Sequence, residues 1–264
     1  MKLTATKLPS NQHILVNSVV AFVLAGMVAT TLHELSHLTA GLLLGHPGRL
    51  YVSAVDTSGL VSTNHLIIIA LTGPLFSLVF GILFIFMARN WGQGFGRLFW
   101  LWLGFLSAQI GFGYFIISPF ASMGDTGKAL SLLHAPALIY IISFLFGVSG
   151  MIWLGKRFAT PAVAYTTDTS SLRTIGLFSW LIGTGLLLCI EIPANRMLPT
   201  DLLPTVIAGT ATIGIFTPLL TFFYKSLTVE HEQLTLGKPI AGLACALLFA
   251  VLLLFVLSHG IKIG

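Results

Sequence analysis

A chain of 264 residues that is 56% hydrophobic and only 8% charged, with a mean hydropathy of +0.96, excludes a soluble globular domain and describes an integral membrane protein with helical spans. Its apolar runs are continuous rather than alternating, which excludes a membrane β-barrel. The net charge of +5 would suggest a nucleic-acid partner in a soluble protein; here it reflects Lys and Arg retained on the cytoplasmic side, and no nucleic-acid role is expected.

Met1 to Gln12 is short and polar, and the first apolar run follows it directly. That run, Ile14 to Leu44, is about 31 residues long, more than the ~20 a span requires, so the helix is expected to tilt or to project beyond the bilayer. Past its midpoint it carries His33-Glu34-Leu35-Ser36-His37. Residues four apart on a helix share a face, so both imidazoles can reach one Zn²⁺, and Glu34 beside the first can act as general base. With four Glu and eight His in the whole chain, chance seldom produces this pattern. A carboxylate at hydrocarbon depth costs roughly 2.5 to 3.5 kcal/mol, which a bound cation with ordered water offsets. A cleaved signal peptide would remove this motif, so the N-terminal segment is expected to be retained.

Gly45-His46-Pro47-Gly48 stops the helix. Arg49 to Ser62 then reads as a small hairpin turning at Asp56-Thr57-Ser58-Gly59, or as a mere connecting loop. A hairpin there could hold a substrate as an added strand. His65 to Ala88 is the second span, with Gly73-Pro74 inside it, a kink that also allows close approach of a neighbour. Leu98 to Ser118 is the third. Its Gln109 reads best as an interhelical hydrogen bond.

Pro119 and Gly124 break the segment Ser118 to Leu130, and irregular backbone near membrane depth is tolerated only in a cavity or buried in protein. Asp125 in this segment is the expected third ligand, with a helix N-cap as its alternative role. Two His and one carboxylate leave a position for water, the pattern of catalytic zinc. Pro136 to Gly155, Thr174 to Ile192, Pro204 to Tyr224 and Pro239 to Ser258 complete about six to seven transmembrane helices in an all-α polytopic membrane protein with a small β-hairpin after the first. Residues 1–135 are expected to form a catalytic, metal-bearing core and residues 136–264 a set of supporting helices. Cys189 and Cys245 read as small packing residues, Glu191 as interfacial, and His46 and His65 as secondary ligand candidates bordering the hairpin.

The helix-borne His33-Glu34-x-x-His37, the hairpin behind it, Gly73-Pro74 in the next span and Asp125 in a broken segment 88 residues after His37 resemble the site-2 proteases, intramembrane zinc metalloproteases. The resemblance covers residues 14 to 134. It implies Zn²⁺ held by His33, His37 and Asp125, Glu34 as the catalytic base, and a transmembrane or membrane-associated protein substrate in the plasma or inner membrane. Ser77 stands where the family usually has Asn, and Ser118-Pro119 where it has Asn-x-x-Pro. The alternative reading is a non-proteolytic scaffold or metal-binding membrane protein on a degenerate protease core. Counted over seven spans, Lys and Arg place the N-terminus in the cytoplasm, whereas the family pattern implies the reverse.

Overall fold

The computed structural model describes residues 13–166, 169–198, 203–217, 223 and 235–264. The chain is an all-α polytopic membrane protein with one small sheet. Lipid offers the backbone no hydrogen bonds, so each long apolar run satisfies its own as a helix. These helices are α1 (Ile14–Leu43), α2 (Thr63–Asn90), α3 (Gly94–Ile117) and, after the short α4 (Asp125–Leu132), α5 (Ala137–Ala162). Next, α6 (Thr169–Arg173) runs through a π turn at Thr174–Phe178 into α7 (Ser179–Ala194). Then come α8 (Leu203–Thr212) and α9 (Ile240–Phe255).

Among the described residues six helices are long and apolar enough to cross a membrane, α6 and α7 counting together. Of the expected span from Pro204 to Tyr224, the described residues show α8 and then a turn over 213–217, and most of the remainder lies outside the described residues. Gly214 ends the run with φ of +74°, and the Phe22 ring fills the space where a side chain would stand. Met1 to Gln12 also lies outside the described residues.

Helix α1 is the axis of the bundle. It packs against α2 and α3 on one side and α7 and α9 on another, and Ala21, Phe22, Ala25, Met27 and Ala29 on it are fully buried. The Trp102 indole donates to Ser18 Oγ at 3.0 Å and meets Phe22 edge-on, locking α3 to α1. Lipid is as apolar as a Leu side chain, so these helices associate through close packing at small residues. In the α2–α3 pair, a Cβ on Gly81 would lie 2.2 Å from the Ala108 nitrogen, and one on Gly104 2.6 Å from the Ile85 nitrogen. Cys189 and Cys245 depart from their expected packing role: both lie exposed on the outer surface of their helices.

The hairpin forms with a different turn from the one its sequence suggests. Strands β1 (Gly48–Leu50) and β2 (Val55–Thr57) pair antiparallel around Tyr51 to Ala54, and Asp56 lies within β2. Burial of Leu50 and Val52 in the core overrides the Asp-x-x-Gly turn signal. A third strand, β3 (Ile261–Ile263), pairs antiparallel with the other side of β1, giving the order β2-β1-β3. The outer edge of β1 is therefore occupied by a strand from the far end of the chain. The sheet stands on the last turns of α1, where a Cβ on Gly48 would lie 2.8 Å from the end of Leu38.

Candidate metal centre

Helical spacing places His33 and His37 one turn apart on a buried face of α1. Asp125 is the first residue of α4, one position past its N-cap Gly124. It turns to the imidazole pair, with Asp125 Oδ2 lying 3.0 Å from His33 Nε2 and 3.1 Å from His37 Nε2, while the two Nε2 atoms are 3.2 Å apart. One ligand atom from each residue thus stands in a single small triangle.

The far sides of the rings fix what these atoms offer. His37 Nδ1 lies 2.6 Å from the Ile69 carbonyl oxygen, which can only accept, so Nδ1 carries the proton and the neutral ring presents a lone pair at Nε2. His33 Nδ1 bonds Ser77 Oγ at 3.0 Å, which turns its Nε2 inward as well. Lone pairs and a carboxylate then face one another, an arrangement that only added positive charge makes favourable. A tetrahedral Zn²⁺ with bonds of about 2.0 to 2.1 Å holds its ligand atoms about 3.3 to 3.4 Å apart, close to the observed triangle. Protons on the rings are the other source of charge. In that form burial pushes the Asp125 carboxyl up, but the hydrogen bonds and charges of His33 and His37 outweigh it and hold it below the usual carboxylate range. While the rings keep their protons, a carboxyl lowered this way stabilises the fold above the ordinary carboxylate pKa and loses that contribution as the pH falls into strong acid.

The neighbours leave room for the rings and hold them. Gly73 on α2 faces both, and a Cβ there would stand 2.2 Å from His37 Nε2 and 2.7 Å from His33 Cε1. Tyr114 on α3 stacks flat on His33, centroids 5.2 Å apart. Glu34 is buried beside the ligands, near enough to sense the charges of His33, His37 and Asp125. The Asp125 side chain is 23% exposed against 4% and 8% for the two imidazoles, so the carboxylate side is the open side of the triangle.

Other candidates lie elsewhere. His46 and His65 bond each other at 2.8 Å and contribute nothing to the triangle. Glu191, near the end of its span, is buried and accepts a hydrogen bond from Thr210. Gln109 donates to the Thr212 carbonyl oxygen at 3.0 Å, the interhelical bond expected of it. Ser77, marked in the sequence only as standing where the resembled family usually has Asn, and Tyr114, not singled out, both border the site; each sits at a helical position whose face only the assembled bundle defines. Comparison with profiles of protein families, with curated proteins and with solved structures found no significant match for this chain.

Proposed function

We propose that the chain is an intramembrane zinc metalloprotease of the site-2 protease kind, hydrolysing peptide bonds of membrane-protein substrates within or beside the bilayer. The observation that carries this reading is the triangle of His33 Nε2, His37 Nε2 and Asp125 Oδ2, with a buried carboxylate in the same turn of α1. When bound there, Zn²⁺ supplies a Lewis acid that acidifies water and polarises a carbonyl. His37 is oriented for this by the Ile69 carbonyl and His33 by Ser77, the outer contacts on which metal affinity depends. Glu34 takes the proton of the attacking water on its carboxylate and returns it to the amine that leaves, so one side chain serves as base and then as acid. The two imidazoles are nearly enclosed by protein, which strengthens charge interactions among them.

The test is cleavage of a tagged single-span membrane protein by the purified chain in liposomes. Native protein is expected to release a fragment, and both a chelator and Glu34→Gln to abolish it. Tight zinc binding without cleavage of any membrane substrate would favour the metal-binding scaffold instead.

A further inference from the structure

The strand on the outer edge of β1 is poorly matched to its place. In the register of the sheet, Arg49 at the centre of β1 faces Asp56 on β2 and Lys262 on β3. Directly opposed residues of an antiparallel pair share one face, so the row across the sheet reads acidic, basic, basic. The β1–β2 pair gains from opposite charges, whereas the β1–β3 pair sets like charges against each other. Strand β3 has little to offset this: it is three residues long, and Ile261 and Ile263 remain 37% and 38% exposed. Its attachment rests on a few backbone hydrogen bonds, each of modest net value, aided by the high effective concentration of a tethered segment. Gly260 leads into it with φ of +71°, the stem of Arg49 lying where a Cβ would stand.

The sheet stands close to the candidate metal centre through β1 and β2. Gly48, at one end of β1, rests on Leu38, the residue after ligand His37. Thr57 of β2 lies beside Gly41 near Ile69, whose carbonyl holds His37. Substrate helices hide their carbonyls in i to i+4 bonds, and a peptide that is to be cut must be drawn out as a strand.

We propose that the outer edge of β1 is a peptide-binding edge, that Ile261–Ile263 is its displaceable resident, and that the segment replacing it is extended and carries an acidic residue opposite Arg49. This rests on the proteolytic reading for its purpose but not for its measurement. An incoming strand with Asp or Glu at the central position converts the like-charge pair into an attractive one, so charge complementarity to Arg49 is the selective element. The resident strand keeps the edge covered until such a segment arrives, which blunts an exposed edge that would otherwise recruit any extended chain.

The test uses the full chain carrying Glu34→Gln, so that nothing is cut, and two labelled peptides, Gly-Ile-Lys-Ile-Gly and Gly-Ile-Glu-Ile-Gly, with binding read by fluorescence anisotropy in nanodiscs. The acidic peptide is expected to bind at least tenfold more tightly than the basic one, and Arg49→Glu to invert that order. Deleting Ile261–Gly264 is expected to raise affinity for the acidic peptide, and Lys262→Glu in the intact chain to lower it while slowing amide hydrogen exchange across β1 and β3. Should the deletion variant fail to fold, the exchange measurement on Lys262→Glu decides alone. Equal affinity for both peptides, a preference that Arg49→Glu leaves in place, or unchanged exchange in Lys262→Glu overturns the proposal. Peptide binding with no cleavage by the Glu34-containing chain counts against the protease reading alone; cleavage without charge-selective binding counts against this edge alone.

Discussion

At the scale of single residues, the centre divides into atoms that would touch a metal and atoms that aim them. Ser77→Ala removes the hydroxyl that orients His33, and loss of such an outer contact lowers metal affinity about 10- to 100-fold, measurable by competition with a zinc chelator of known strength. Gly73→Ala acts by volume rather than by chemistry: its methyl group would overlap the His37 ring, so zinc binding is expected to be lost although no ligand has changed. Glu34→Gln separates binding from chemistry. It is expected to keep zinc and to lose about 10²- to 10⁴-fold in kcat, the usual contribution of a positioned proton acceptor. The two histidines and Asp125 could be read from the sequence because helical spacing and a broken apolar segment leave a local trace. The bond from Ser77 to His33 could not: its place after Gly73-Pro74 marked the position, but not the face it occupies once α2 docks on α1.

At the scale of elements, the ligands depend on how closely α2 approaches its neighbours. Gly81 and Gly104 let the α2 and α3 backbones nearly touch, and α2 carries Gly73, Ser77 and the Ile69 carbonyl to the imidazoles. Gly104→Leu, remote from the metal centre in sequence, is expected to force these helices apart and weaken zinc binding together with thermal stability; Gly113→Leu, a position with open space around it, is the control expected to do neither. The limits of α1, α2 and α3 were legible to within a few residues, because continuous apolar runs in lipid have only the helix open to them. The sheet was legible in part. Its first two strands follow from β-forming residues after Gly45 to Gly48, but the turn moved because Leu50 and Val52 are drawn into the core. Strand β3 had no local signature, since three residues gain strand character only from the partner that pairs with them.

At the scale of the whole molecule, α1 carries the candidate metal-binding histidines and also takes part in the packing of the later helices, through Phe22 against Gly183 and Gly214 and Gly26 against Leu187. The supporting helices therefore help to set the position of the imidazoles. A metal that bridges α1 and α4 stabilises the folded chain by mass action, about 2.7 kcal/mol when free zinc is a hundred times the dissociation constant. Chelation is expected to lower the unfolding temperature of the native protein and to leave an Asp125→Ala variant nearly unmoved, as followed by thermal denaturation in detergent. Glu191 and Thr210, buried together outside the triangle, could not be paired from the sequence because they are brought together only when α8 folds back on α7.

The most direct measurement is the metal content of the purified full-length chain by elemental analysis, alongside Asp125→Ala and Glu34→Gln. The expected result is one zinc ion per native chain, the same for Glu34→Gln, and an affinity at least tenfold lower for Asp125→Ala. A native chain that binds no zinc when supplied with it, or an Asp125→Ala variant that holds it as tightly as the native protein, would contradict the account.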